Sequence, residues 1–178
     1  LCEDCGEKIE QLFPCFPPRF IAGDAETLSF PGKFDLIASA SVFQWIKEPE
    51  VFLHKLSGLL VPQGVLLFSS FLPGNLHEIK ELTGEGLVYP TFDTLAGWLS
   101  AADFELLHSE EETIVLTFKT PLEVLRHLKA TGVTATGNGR WTRGRQESLC
   151  KQYSERFSTS DDRVTLTYRP LYILAVKK

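Results

Sequence analysis

Two short apolar runs set the pattern of the first third of the chain. Phe20-Ile21-Ala22 ends in Gly23-Asp24-Ala25-Glu26, and Phe34-Asp35-Leu36-Ile37-Ala38 ends in Ser39-Ala40-Ser41. Each has the length of a strand buried on both faces, bounded by Gly, Pro or small polar residues. Strands are therefore predicted over about 19–22 and 34–39. Residues 1–13 have helical spacing (Leu1, Cys5, Ile9, Leu12), which Pro14, Pro17 and Pro18 stop. Residues 42–45 start a helix or loop. Pro49 suits the first turn of the next helix, which runs to about Leu60 with Val51, Phe52, Leu56 and Leu59 as its stripe. Pro62-Gln63-Gly64 reads as a tight turn, and 65–69 as a third buried strand. The order strand, helix, strand implies a right-handed crossover and a parallel sheet. In such sheets ligands bind beyond the carboxyl ends of the strands. Asp24 stands at one such end and Ser39 to Ser41 at another.

Past Ser70 the pattern changes. Pro73-Gly74-Asn75 leads into a polar helix over 77–82, and 91–101 is a helix with Phe92, Leu95, Trp98 and Leu99 on one side. Residues 104–107 and 113–118 read as strands. A helix over 121–129 opens on Pro121, and the Gly-, Thr- and Arg-rich 131–144 reads as a loop before a helix over 145–157. Residues 164–176 are strand-like, and their interruption at Pro170 predicts an edge or bulge position there.

Composition narrows the classes. The 178 residues are 43% hydrophobic and 23% charged, ordinary for one globular domain. A net charge of -5 argues against nonspecific nucleic-acid binding, and no apolar run reaches membrane-span length. No nucleic-acid or membrane partner is expected. Cys2-x-x-Cys5 has no second pair and no His at metal spacing, so no metal site is expected. Four unpatterned cysteines suit a reducing cytoplasm. His54, His77, His108 and His127 have no ligand spacing and read as surface or helix residues. The chain starts at Leu1 within a helical pattern and contains no Met, which points to missing residues, an N-terminal part first.

The motifs Gly23-Asp24-Ala25-Glu26, Phe34-Asp35-Leu36 and Leu60-x-Pro62-x-Gly64 resemble class I S-adenosylmethionine-dependent methyltransferases. Gln44-Trp45, Leu128-Lys129-x-x-Gly132-Val133-Thr134 and Leu166-Thr167-Tyr168 are similar to the malonyl-acyl-carrier-protein O-methyltransferase family of biotin synthesis. The resemblance runs from about Leu1 to Lys178. It implies an α/β, doubly wound Rossmann-like sheet, mostly parallel with an antiparallel last strand. It implies one methyltransferase domain over 1–178, a C-terminal portion, with 71–103 and 119–163 as helical or loop insertions on the substrate side. S-adenosyl-L-methionine would be the cofactor and malonyl-acyl carrier protein the partner. Its free carboxylate would become the methyl ester that starts pimeloyl synthesis. The family's Gly-rich loop and first strand are absent from this sequence, so half of the cofactor pocket is missing from it. A parallel sheet without its central strand would expose apolar edges.

The resemblance gives residues roles, each beside a plainer one. Asp24 would accept from the adenine amino group with the Ala25 amide facing a ring nitrogen, or else cap a turn. Ser39 and Ala40 would leave room for the methylthio group, or simply pack a strand end. Gln44 and Trp45 would shape the acceptor side, although a core Trp is the alternative. A carboxylate is already ionised near neutral pH, so its esterification needs alignment and donors rather than a base. Gln44, Lys129 and Tyr168 are accordingly the catalytic candidates, with Thr134 and Arg169 as substrate contacts. Lys129 has a solvated helix charge as its alternative, and Tyr168 a core strand aromatic. Arg126, Lys129, Arg140, Arg143 and Arg145 form a basic cluster in an acidic chain, suited to an acidic carrier protein. Arg143 and Arg145 would dock it, or belong to a solvated loop. Two other readings stay open: a methyltransferase of another small carboxylic acid or metabolite, and a non-catalytic partner-binding member of the fold.

Overall fold

The computed structural model describes residues 21–132 and 142–178. The predicted helix over 1–13, Cys2, Cys5, Cys15, the start of the first predicted strand, Thr134 and Arg140 lie outside the described residues. The chain divides into two compact units, Leu1–Gly32 and Lys33–Lys178. In the first, Ile21 and Ala22 pair with no strand among the described residues, and a turn follows at Asp24.

The second unit opens with β1 (Phe34–Ser39), at the predicted bounds. A single 3-10 turn, Phe43–Trp45, leads to helix α1 (Pro49–Leu59), which starts on its proline. Strand β2 spans Leu60–Phe71. Pro62-Gln63-Gly64 therefore does not end an element; it bulges inside one. Leu60 pairs with Phe34 and Val65 with Leu36, so β2 has three extra residues there (five steps against two), and Gln63 takes the left-handed φ of 62°. Gly64 is needed at this bulge, since a Cβ would lie 2.8 Å from the Val61 carbonyl oxygen.

Helices α2 (His77–Thr83) and α3 (Phe92–Ala101) follow, then β3 (Phe104–Glu111) and β4 (Ile114–Phe118). Helix α4 (Pro121–Ala130) is capped by the Thr120 hydroxyl, which accepts from the Glu123 N–H at 3.3 Å. Helix α5 (Arg143–Phe157) is capped in the same way by Thr142, so it begins two residues before the predicted start. Strands β5 (Val164–Tyr168) and β6 (Pro170–Lys177) close the chain.

Two sheets result. The larger has the order β1-β2-β6-β3, with β1 and β2 parallel and β6 antiparallel to both its neighbours. Thus β1, β2 and β3 share a direction and the last strand runs against them, as the expected sheet requires. The smaller pairs β4 with β5, antiparallel. Pro170 is not at an edge: it is the first residue of an interior strand, where the chain leaves the small sheet for the large one. Proline fits a first strand position because it has no N–H to give.

The expectation that the early strands are buried on both faces is corrected. In β2 the side chains of Leu66 and Phe68 are buried, while Leu67 between them is 46% exposed. On β1, Leu36 is 56% exposed. One face carries the core. There Phe43 stacks on Phe68 at 4.1 Å and leans on Phe52 of α1 at 5.6 Å, and Leu53, Leu56, Leu95 and Leu99 are buried. A second core lies among α2, α4, α5 and the small sheet, built from Leu76, Val124, Leu128, Tyr153, Val164 and Leu166.

Candidate functional site

The carboxyl ends of β1 and β2 meet at a hydrogen-bonded corner. Past Ser39 the backbone turns through Ser41 in the left-handed region at φ 52°, unusual for a residue with a side chain. Its N–H donates to Ser69 Oγ at 2.9 Å, and Gln44 Nε2 donates to the Ser41 carbonyl at 2.5 Å. The other end of the same amide, Gln44 Oε1, is buried and has no partner among the described residues. Beside the corner lies a cavity of about 180 Å³, lined by Ser41, Ser69, Ser70, Phe71, Ile114, Tyr168, Pro170 and Tyr172. Among the described residues its polar side chains are all hydroxyls, with no carboxylate, imidazole or ammonium.

Tyr168 ends β5 and faces this cavity. Its Oη shares a hydrogen bond with His127 Nε2 at 3.0 Å. The imidazole lies 5.3 Å from the Phe118 ring and 6.0 Å from that of Tyr168. His127, a helix residue as expected, is thus also a half-buried partner of a site residue. Burial pushes the Tyr168 phenol above its ordinary range, against a hydrogen bond from Thr131, and nearby Tyr89 adds to the rise. The group stays a neutral hydrogen-bond donor well past neutral pH.

A larger cavity, about 630 Å³, lies among α2, α4 and α5. Lys129 lines this one and not the smaller cavity. Asn75 and Tyr89 line it too, joined by a hydrogen bond from Asn75 Nδ2 to Tyr89 Oη at 3.0 Å. Burial raises the Tyr89 phenol, while the Asn75 bond lowers it. The Tyr89 ring meets Phe71 edge-on at 6.1 Å, and Phe71 lies 6.2 Å from Tyr168. Phe71 belongs to the small cavity and Tyr89 to the large one, so a layer of aromatic rings divides them.

The remaining candidates are dispersed. In the first unit, Asp24 Oδ1 accepts from the Glu26 N–H at 2.9 Å, and the Asp24 carbonyl accepts from Thr27 and Leu28, so this residue does cap a turn. Ala25 beside it is half-buried. In the second unit, Ser39 is half-buried and Ala40 exposed. Trp45 is 43% exposed and is not a core residue; Phe43, two positions earlier, takes the core place. Arg143 is exposed and pairs with Glu147 one turn on at 3.0 Å. Arg145 pairs with Glu85 at 3.7 Å. Arg169 donates to the Pro73 carbonyl at 2.8 Å and pairs with Glu111 at 3.8 Å, and its N–H donates to Asn75 Oδ1 at 3.0 Å. Its charge is already engaged in holding the 73–75 turn.

Sequence reasoning missed four residues here: Asn75, Glu78, Tyr89 and His127. Glu78 is fully buried and accepts from the Thr167 N–H at 3.0 Å, the Thr167 hydroxyl at 2.7 Å and the Thr165 hydroxyl at 3.3 Å. It fixes α2 to β5, the strand that ends in Tyr168. One local signal existed. Asn75 follows Pro73-Gly74, a turn that has to be held by something.

A family model described as a methyltransferase domain matches residues 2–68. The malonyl-[acyl-carrier protein] O-methyltransferase of Porphyromonas gingivalis is 50% identical over 177 residues, covering 98% of this chain and 68% of the relative. The chain belongs to the malonyl-[acyl-carrier protein] O-methyltransferase family. The enzyme of that name from Bacteroides fragilis is 46% identical over 159 residues, 89% of this chain and 32% of its own length. A solved S-adenosylmethionine-dependent methyltransferase from Mesorhizobium loti, 15% identical, covers 99% of this chain and 77% of that one with a TM-score of 0.54. That likeness concerns the fold. As a member of the malonyl-[acyl-carrier protein] O-methyltransferase family, the chain has an α/β Rossmann-like methyltransferase architecture, and its methyl donor is S-adenosyl-L-methionine.

Proposed function

We propose that the protein methylates the free carboxylate of malonyl-acyl carrier protein, forming the methyl ester from which a pimeloyl chain is built. The observation that carries this reading is the small hydroxyl-lined cavity at the carboxyl ends of β1 and β2. An acceptor carboxylate is ionised near neutral pH and needs no base. It needs donors that orient it and leave one oxygen open. Tyr168, kept neutral by burial and braced by His127, is such a donor, and Ser41, Ser69 and Ser70 stand beside it.

S-adenosylmethionine supplies an electrophilic methyl group on a positively charged sulfur. The unpartnered Gln44 Oε1 suits that molecule: an amide oxygen accepts from the donor's ammonium and is attracted by its cationic sulfur. The open end of Gln44 is an acceptor oxygen, which favours the cationic methyl donor over the malonyl carboxylate. Ser39 and Ala40 bear small side chains at the end of β1. Asp24 uses Oδ1 in its own turn, leaving Oδ2 for an adenine amino group beside the Ala25 amide. Arg143 and Arg145, each beside a glutamate partner, are the candidates to meet an acidic carrier, and Trp45 presents an exposed indole. Residues 71–103 and 119–163 are the substrate-side insertions of a single domain. A cytoplasmic location belongs to the same reading; among the described residues no helix is long and apolar enough to cross a membrane.

The test is transfer of labelled methyl from S-adenosylmethionine to malonyl-acyl carrier protein by the full-length protein. Malonyl-coenzyme A serves as the rival acceptor. Tyr168→Phe should lower turnover by about 100-fold, the scale on which a misplaced reactant slows reaction. A protein that binds S-adenosylmethionine but forms no ester on the malonyl carrier refutes the reading. Equal use of malonyl-coenzyme A favours a small-acid methyltransferase instead.

A further inference from the structure

We propose that the cavity of about 630 Å³ among α2, α4 and α5 is the seat of the phosphopantetheine arm of the carrier-bound substrate, with the arm's phosphate held by Lys80, Arg126 and Lys129. This rests on the reading that the acceptor is a carrier thioester. The volume falls within the roughly 300–1,000 Å³ of small-molecule sites. The apolar part of the wall is aliphatic, with Leu76, Ile79, Leu125 and Leu149 in it. Asn75, Thr83 and Gln146 add amide and hydroxyl groups to that lining. An extended ligand with methyl groups and a few amides meets such a surface well, whereas a compact polar metabolite does not.

The charges define one end of the ligand. Arg126 and Lys129 are three residues apart on α4 and so share a face, and Lys80 comes from α2. Among the described residues, none of the three is in an ion pair. The acidic group in the lining among the described residues, Glu85, is paired with Arg145 at 3.7 Å. The lining thus has positive charge to spare, and an anion is the group that satisfies it. The rings of Phe71 and Tyr89 stand on the side toward the smaller cavity. They divide this cavity from the one that Tyr168 faces. An arm anchored by its phosphate at the cations presents its acyl end to that aromatic layer, next to the hydroxyls that would orient a carboxylate. Lys129 then acts on the arm and not on the reacting carboxylate.

The experiment uses the full-length protein with free 4′-phosphopantetheine as the probe, followed by calorimetry, and malonyl-acyl carrier protein as the substrate. Lys80→Glu, Arg126→Glu and the cavity-filling Leu125→Trp are compared with wild type, each checked for a normal thermal melt. Each charge reversal should weaken probe binding by about tenfold or more, the loss expected when a charge-assisted contact is removed. KM for the malonyl carrier should rise in parallel, with S-adenosylmethionine affinity unchanged. Leu125→Trp should exclude the probe; should it fail to fold, the two surface reversals still decide. A wild-type protein that methylates the malonyl carrier but shows no probe binding, or binding indifferent to all three changes, overturns the proposal and leaves the function standing. Probe binding that the variants abolish, without ester formation, upholds this site and removes the proposed reaction.

Discussion

The four-stranded sheet and the two-stranded sheet of this chain are held together by different chemistry. Around the larger sheet the buried side chains are almost all apolar, from Leu53 and Leu56 on α1 through Leu66 and Phe68 on β2 to Leu95 and Leu99 on α3. Around the smaller sheet the core is threaded with polar bonds. Glu78 accepts from Thr165 and Thr167, Tyr153 donates to the Thr165 carbonyl at 2.6 Å, and His127 meets Tyr168. Apolar packing is tolerant of sequence and builds a generic scaffold, while buried polar pairs demand one arrangement. The division matches the site. The scaffold supplies strand ends, and the latched region supplies Tyr168, its brace and the large cavity.

Breaking the scaffold should cost most. Leu66→Ala, at a fully buried position, should destabilise the protein by about 2–5 kcal/mol in chemical denaturation. A loss under 1 kcal/mol would mean that the large sheet is not the stability core. Breaking the latch comes next. Glu78→Ala strands the Thr167 N–H and two hydroxyls and should cost about 2–3 kcal/mol. Amide exchange should then quicken in β5 ahead of β2; uniform acceleration would erase the distinction between the regions.

Tyr153→Phe is a finer probe. It removes one hydrogen bond, worth about 1 kcal/mol. Burial first, then the charges of Glu78 and Tyr168, hold the Tyr153 phenol well above its ordinary value of 10.0. A raised phenol favours the folded state at full strength below that value, and the contribution fades as pH rises above it. Wild-type stability should therefore fall in alkaline solution beyond pH 10.0, and the variant should fall less steeply. Parallel curves would exclude Tyr153 as the group responsible. The smallest effect belongs to the outer face. Arg143→Ala breaks an exposed pair and should change stability by less than about 0.5 kcal/mol. Reversing Arg143 and Arg145 to Glu should weaken carrier binding several-fold without touching S-adenosylmethionine affinity. Unchanged carrier binding would remove both from the docking face.

Much of the scaffold was legible because its signals are local. Phe34–Ser39 announced itself by apolar length between breakers, and Pro49, Thr91 and Pro121 marked helix starts. The errors fell where a local signal has two meanings. Pro62-Gln63-Gly64 has the composition of a turn, yet the parallel ladder with β1 resumes beyond it and makes it a bulge. Pro170 does mark the interruption expected there, yet of the expected edge or bulge position the edge is excluded, since strand pairing on both sides of β6 puts it inside the sheet. Trp45 is different: of its two readings, acceptor-side wall or core residue, the packing of Phe43 against Phe68 removes the second.

The sequence alone marked most elements of the second unit, their order, the residues at the strand ends and the family resemblance. The tertiary structure decided that His127 braces Tyr168 across 41 positions and that Glu78 holds Thr167 across 89. It also placed Lys129 on a different cavity from Tyr168. Helix and strand periodicity is written over a few residues, where neighbours in sequence are neighbours in space. A polar pair between distant segments leaves no periodic trace, because either partner alone has the composition of a surface residue until the fold buries them together.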